Sequence, residues 1–220
     1  MNYLDILYTP LDTSPLPAFN IDRLLSWIDD NKDKQHIQNR ADSSKMVSKY
    51  PWNIIYPKTL GKWQYNFNIE FPELAEYFSS CFDLAPQDVL GVVLLPVKSE
   101  FTGVGFWHSD PDVLGLRMYL ENKESNDFLL VRPTVEAYIT RPPFTLSTDN
   151  SDIKLQDSIY SAKLLNPTQS YFINNVRAMH AVTTSSAGIL RIAALIFVSP
   201  HVAERMQELI IRSAEKFKRR

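Results

Sequence analysis

The run GFWHSDPDVLGLRMYLEN, residues 105–122, decides how the chain is read. Apart from its polar groups it reads as two β-strands, with Phe106, Trp107, Leu116, Met118 and Leu120 as apolar positions around a PDVLG turn. Residues two apart in a strand point the same way, so His108 and Asp110 share one side with Phe106. After the turn, Arg117 and Tyr119 alternate with Leu116, Met118 and Leu120, so the returning strand also carries polar groups on one face.

The sequence on either side extends this pattern. From residue 89 the period is two: VLGVVLLPV, VGFWHSD, LGLRMYLEN, FLLVRP, VEAYIT, IYSAKLLN, SYFINN, MHAVTT and LRIAALIFV follow one another, most of them separated by Gly, Pro, Asn, Asp or Ser. About eight short strands in roughly 110 residues predict a sandwich or barrel of the jelly-roll type. The fold class expected is therefore mainly β, a double-stranded β-helix (jelly roll, cupin-like) with an N-terminal helical layer and a C-terminal helix. Residues 1–88 are expected to form a helical framework with aromatic-rich loops, 89–200 the jelly-roll core and 201–220 the final helix, all in one domain.

Helical spacing marks the flanks. NIDRLLSWIDDN has Asn20 as N-cap and Ile21, Leu24, Leu25 and Ile28 on one face. FPELAEYFSSCF has Pro72 near its start and Leu74, Tyr77, Phe78 and Cys81 in register. AERMQELIIRSAEKF places Met206, Leu209, Ile210 and Phe217 inward. Trp52, Tyr56, Trp63 and Tyr65 are read as core or as the lining of a substrate entrance. The long irregular piece at 141–158 reads as a lid or a disordered loop.

Composition bounds the function. The 220 residues carry a formal net charge of −2 and 22% charged residues, so a nucleic-acid partner is not expected. The single cysteine, Cys81, excludes an internal disulfide and a Cys-rich zinc site and is read as packing. No signal peptide or membrane-spanning run is apparent, and a cytoplasmic location is expected.

Two ligands are too few for a metal, and the chain has four histidines. His36 lies in a charged segment, and His201 sits at the start of the final helix. His180, 72 residues after His108, opens an apolar run and is the best third donor. Two histidines and a carboxylate make the facial triad of non-haem iron(II) sites, with open positions for cosubstrate and dioxygen. Arg191, 11 residues beyond His180, is embedded in GILRIAALIFV, where a charge is costly unless an anion meets it. An arginine clamping a dicarboxylate beside iron is the requirement of 2-oxoglutarate chemistry.

On WHSDPDVLGLRMYL and FINNVRAMHAV…LRIAALIFVSPH the chain resembles the iron(II)/2-oxoglutarate-dependent oxygenases, whose pattern is HxD, a distal His and an Arg about ten residues later. Within them it is most similar to the aspartyl/asparaginyl β-hydroxylase group, which includes some free-proline hydroxylases. The resemblance covers roughly residues 90–205. It implies a hydroxylase with iron(II) on His108, Asp110 and His180, 2-oxoglutarate on Arg191, and dioxygen as co-reactant. It also implies a small-molecule or peptidyl substrate whose carboxylate meets Arg117, with Tyr119 beside it; the other reading of Arg117 is an ion pair with Glu121. The animal aspartyl hydroxylases have glycine where Asp110 stands, and a histidine where Tyr119 stands. Two other readings remain: a zinc-dependent cupin-like hydrolase or isomerase, and a binding module without turnover.

Overall fold

The computed structural model describes residues 2–31, 54–98, 103–104, 109, 114–122, 128–133, 160–163, 170–184 and 190–217. Eleven strands are seen there. β1 (Tyr8–Pro10), β2 (Ile55–Thr59), β3 (Lys62–Trp63) and β4 (Val89–Lys98) precede β5 (Gly103–Val104) and β6 (Leu116–Asn122). β7 (Phe128–Pro133), β8 (Tyr160–Lys163), β9 (Ser170–Ile173), β10 (Ala178–Thr184) and β11 (Leu190–Val198) follow. They form a seven-stranded sheet in the order β1-β9-β6-β11-β4-β2-β3 and a four-stranded sheet in the order β5-β10-β7-β8. Every pairing is antiparallel. From β4 to β11 the chain passes repeatedly between the two sheets. That is the connectivity of a jelly roll, the fold class expected.

The long β4–β11 ladder, from Leu190↔Lys98 to Val198↔Val89, is the spine of the large sheet. Its Val- and Leu-rich strands need an apolar cover on both faces. Helices supply one cover: α1 (Ile21–Asn31), α2 (Phe67–Glu70), α3 (Pro72–Ser80) and α4 (Ala203–Phe217). Asn20 caps α1 as expected, its Oδ1 accepting from the Arg23 N–H at 3.0 Å. Leu24 and Ile28 are buried in the core, with Ile21 and Leu25 packed against it. Trp27 is buried as well and meets Phe67 edge-on at 5.0 Å. Leu74, Tyr77, Phe78 and Cys81 are buried together, and burial pushes the Cys81 thiol up.

The N-terminal part departs from a purely helical framework. β1, β2 and β3 extend both edges of the large sheet. In β2 and β3, Ile55, Lys58 and Trp63 are paired in the sheet rather than placed on loops, because Leu60 and Gly61, both at positive φ, turn the chain tightly. Lys58 is buried; its Nζ donates to the Pro86 carbonyl at 2.6 Å and lies 4.7 Å from the centre of the Trp63 ring. Desolvation lowers its pKa. Trp63 and Tyr65 belong to this helix-side core, and Tyr56 is exposed.

α4 buries Met206, Leu209 and Ile210 as expected, but its fourth inward residue is Ser213. Ser213 Oγ accepts the Asp12 N–H at 3.0 Å, while Phe217 is only half-buried with Lys216 near its ring. His36, Trp52 and the 141–158 loop lie outside the described residues. Among the described residues no helix is long and apolar enough to cross a membrane.

Candidate functional site

The large sheet has two faces with different neighbours. Leu116, Met118, Leu120, Phe172, Ile192, Ala194 and Ile196 join the helices in one core. The alternate residues form a second cluster: Tyr119 of β6, Tyr171 and Ile173 of β9, and Ala178 of β10, with Tyr8, Val182 and Ala193 packed against it. Ala178 and Val182 belong to the four-stranded sheet, so this second cluster is where the two sheets face each other.

Alternation then locates the candidate residues. His180 lies between Ala178 and Val182 on the same side of β10 and is buried, so its imidazole faces the space between the sheets. It stands opposite Val131 of β7. Arg191 shares the inner side of β11 with Ala193 and is half-buried, opposite Val97 and Asn122. Arg117 shares the inner side of β6 with Tyr119 and is 2% exposed, opposite Leu195 and Tyr171. Arg191 and Leu195 are four residues apart on β11, so the two arginines attach at levels about 13 Å apart along the strands. The register shifts between Ile192 and Ala193, where the β6–β11 ladder carries a bulge between these two levels.

The strand containing Arg117 begins at a tight spot. Gly115 has φ +55, and its carbonyl accepts the Ile173 N–H at 3.1 Å. A Cβ there would lie 2.9 Å from Arg117 Nη1 and would overlap the Ile173 carbonyl oxygen. Glycine is required for both the backbone conformation and the close approach.

Beside Arg117 is a row of tyrosines. Tyr119 stacks on Tyr171 with ring centres 5.6 Å apart, and Tyr8 follows at 6.0 Å. Burial raises the Tyr171 phenol well above its usual pKa, nearby Tyr119 adds to this, and the Arg117 charge opposes it. Tyr8 is pushed up to about 12, by burial first and then by Tyr119. Neither Tyr8 nor Tyr171 is marked as a site residue by the sequence. Alternation pairs Tyr171 with Ile173, but only the three-dimensional packing tells which face is which. Asn174 and Asn175 are turn residues: Asn174 Oδ1 accepts from the Val176 and Arg177 N–H groups, and its Nδ2 donates to the Leu4 and Ile6 carbonyls.

The structure thus brings His180, Arg191, Arg117 and Tyr119 to one interior. His108 and Asp110 lie outside the described residues, and among those described no group of three metal-ligating side chains occurs. β5 pairs its Val104 and Gly103 with Thr183 and Thr184 of His180's own strand. In sequence, His108 follows Val104 by four residues and Asp110 by six.

No family model and no curated protein matches the chain. Among solved structures, the chain is similar over 90% of its length to EvdMO1, at 16% identity and a TM-score of 0.44, and spans 49% of that protein. A prolyl-4-hydroxylase of Pseudomonas putida shares 13% identity at a TM-score of 0.40, with 90% of this chain and 97% of that one covered. AviO1 of Streptomyces viridochromogenes shares 12% at 0.41, covering 90% and 94%. The chain therefore spans about half the length of the first of these. Likeness at this level is too distant to carry a reaction or a ligand from one protein to another.

Proposed function

We propose that this chain is an iron(II)- and 2-oxoglutarate-dependent oxygenase that hydroxylates a C–H bond of a carboxylate-bearing substrate. One observation carries the reading. Three residues singled out for three different tasks, His180, Arg191 and Arg117, all point into the same space between the sheets. A random scatter of polar residues on eight alternating strands would divide them between the two faces.

The described residues suit the implied groups. A buried imidazole on the inner side of β10 suits a metal ligand, and His108 and Asp110 would complete the set. Arg191, in an otherwise apolar strand, suits the distal carboxylate of 2-oxoglutarate. When bound, iron and cosubstrate supply the oxidising power, with 2-oxoglutarate and dioxygen giving succinate, carbon dioxide and one oxygen atom for the substrate.

The protein's own contribution is placement. Arg117 and Tyr119 would hold a substrate carboxylate at a level distinct from Arg191, so cosubstrate and substrate need not compete for one guanidinium. Ile173, Ala178, Val182 and Ala193 surround these groups with apolar surface that excludes water.

The test is aerobic succinate formation from 2-oxoglutarate with added iron(II), run beside zinc and without metal, over a panel of free amino acids and acidic peptides. Iron-dependent succinate and a product heavier by one oxygen are expected. Turnover with zinc alone, or succinate formation unchanged in His108→Ala, would overturn the assignment. The intact Asp110 further predicts hydroxylation rather than halogenation, since a halide needs the position its carboxylate takes. Chlorinated product in chloride buffer would contradict this.

A further inference from the structure

Where β11 passes into α4, outside the barrel, three side chains form a hydrogen-bonded chain. Ser199 Oγ and His201 Nδ1 are 2.6 Å apart, and His201 Nε2 lies 2.8 Å from Asp88 Oδ1. Asp88 is almost wholly buried and is fixed from its other side. Its Oδ2 accepts the Ala85 N–H at 3.2 Å and meets Arg205 Nη2 at 3.5 Å, while its carbonyl accepts the Ser199 N–H at 2.7 Å. The carboxylate therefore presents Oδ1 to the imidazole from a rigid position. With Asp88 ionised, the imidazole proton sits on Nε2, leaving Nδ1 as an acceptor facing Ser199.

The serine is also in an unusual state. Ser199 stands at the N-cap of the turn Pro200–Val202, where a serine hydroxyl ordinarily accepts a backbone N–H. It makes no such capping bond, and its hydroxyl is committed to the imidazole instead. The His201 side chain is 68% exposed and Ser199 is partly so, which leaves the pair open to a reagent.

We propose that Ser199 is an activated nucleophile, with His201 as its general base and Asp88 as the group that orients the base, and that it accepts an acyl group from an activated ester or thioester. Ser199 Oγ attacks the acyl carbon as its proton passes to His201 Nδ1. Asp88 Oδ1 holds the imidazolium through Nε2–H. The carbon–oxygen or carbon–sulfur bond of the donor then breaks, the leaving group departs with the proton from Nδ1 or as its anion, and Ser199 is left acylated. This site uses no residue of the barrel interior and is independent of the oxygenase reading.

The experiment treats the full chain, with EDTA present, with p-nitrophenyl acetate, and follows nitrophenolate release together with peptide masses. One acetyl group on Ser199 is expected, absent in Ser199→Ala and formed about a hundredfold more slowly in His201→Gln. His201 is exposed, so that variant tests the base even if Asp88→Asn fails to fold. Three results would overturn the proposal. One is acetylation of Ser199 no faster than that of serines in the urea-unfolded chain. Another is a rate unchanged in His201→Gln. The third is nitrophenolate release without a labelled Ser199, which would make the imidazole itself the nucleophile.

Discussion

The same strands build two opposite environments. On the helix side of the large sheet, Leu116, Met118, Phe172, Ile192 and Ile196 are apolar and almost wholly buried. One residue along, Arg117, Tyr119, Tyr171 and Arg191 face the other sheet. Burial is as complete on the inner face at Arg117 and Tyr119 as on the outer one, so exposure does not separate them. Chemistry does. The outer face gains by area removed from water, whereas a guanidinium enclosed on the inner face costs free energy unless charge or hydrogen bonds meet it. The outer face is held by apolar area, whereas the inner face holds its charged and polar groups through specific partners.

The sharpest way to break this comparison is to remove the inner histidine. His180→Ala should reduce iron-dependent succinate formation by about a hundredfold or more, toward background, with little change in the thermal midpoint. Iron binding followed by calorimetry should be lost in parallel. Retained turnover would remove His180 from the proposed ligand set.

The matching change on the outer face should do the reverse. Phe172→Ala empties a fully buried position between β1, β6 and the helices and should cost about 3–5 kcal/mol in urea unfolding. Any activity lost should follow the folded fraction. Gly115→Ala tests the seam between the faces: its positive φ and the overlap with the Ile173 carbonyl predict a loss on the order of 3 kcal/mol, together with displacement of Arg117. A variant of wild-type stability would mean that this turn relaxes freely.

Arg191→Leu sharpens the inner face further. A fully buried charge pair broken on one side costs about 3–5 kcal/mol, but Arg191 is half-buried and solvent screens part of that. The 2-oxoglutarate requirement should rise about tenfold to a hundredfold with iron affinity nearly unchanged. An unchanged titration would move the cosubstrate anchor elsewhere.

How much of this was legible in the sequence depends on which interactions set each feature. The eight strands from Val89 to Val198 were readable because alternation is local, and α4 because its apolar spacing is regular. His180, Arg191 and Arg117 stood out as charged or polar residues in apolar runs. β1, β2 and β3 did not: β1 and β2, short and carrying Pro10 and Pro57, pair with strands far away in sequence, and the two-residue β3 rests on β2 alone. Tyr8 was missed for that reason: it reaches Tyr171 only because Tyr8↔Ile173 and Thr9↔Phe172 pair across more than 160 residues. Phe217 was misplaced inward and Ser213 overlooked because periodicity ranks by hydrophobicity and takes no account of a partner such as the Asp12 N–H.

The smallest effect concerns protons. Tyr8 and Tyr171 on the inner face, and Tyr77 and Cys81 on the helix side, all have pKa values raised mainly by burial. A raised pKa means that the folded protein holds the proton where the unfolded chain has released it. For Tyr8 that window runs from about 10, the unfolded phenol, to about 12. Below the window both states are protonated and its full stabilisation is present; through it the unfolded chain binds fewer protons, so stability falls as pH rises. Two pH units correspond to at most about 2.7 kcal/mol, and partial exposure reduces this to about 1–2 kcal/mol. Tyr8→Phe should remove this contribution, flattening the decline in unfolding free energy between pH 10 and 12 while leaving Tyr77 and Cys81 on the helix side to titrate as before. Urea unfolding at pH 8 and at pH 11 in both proteins measures it directly. A Tyr8→Phe curve parallel to wild type across that range would mean that the Tyr8 phenol ionises as readily in the fold as in the open chain, and that β1 does not seal the inner face.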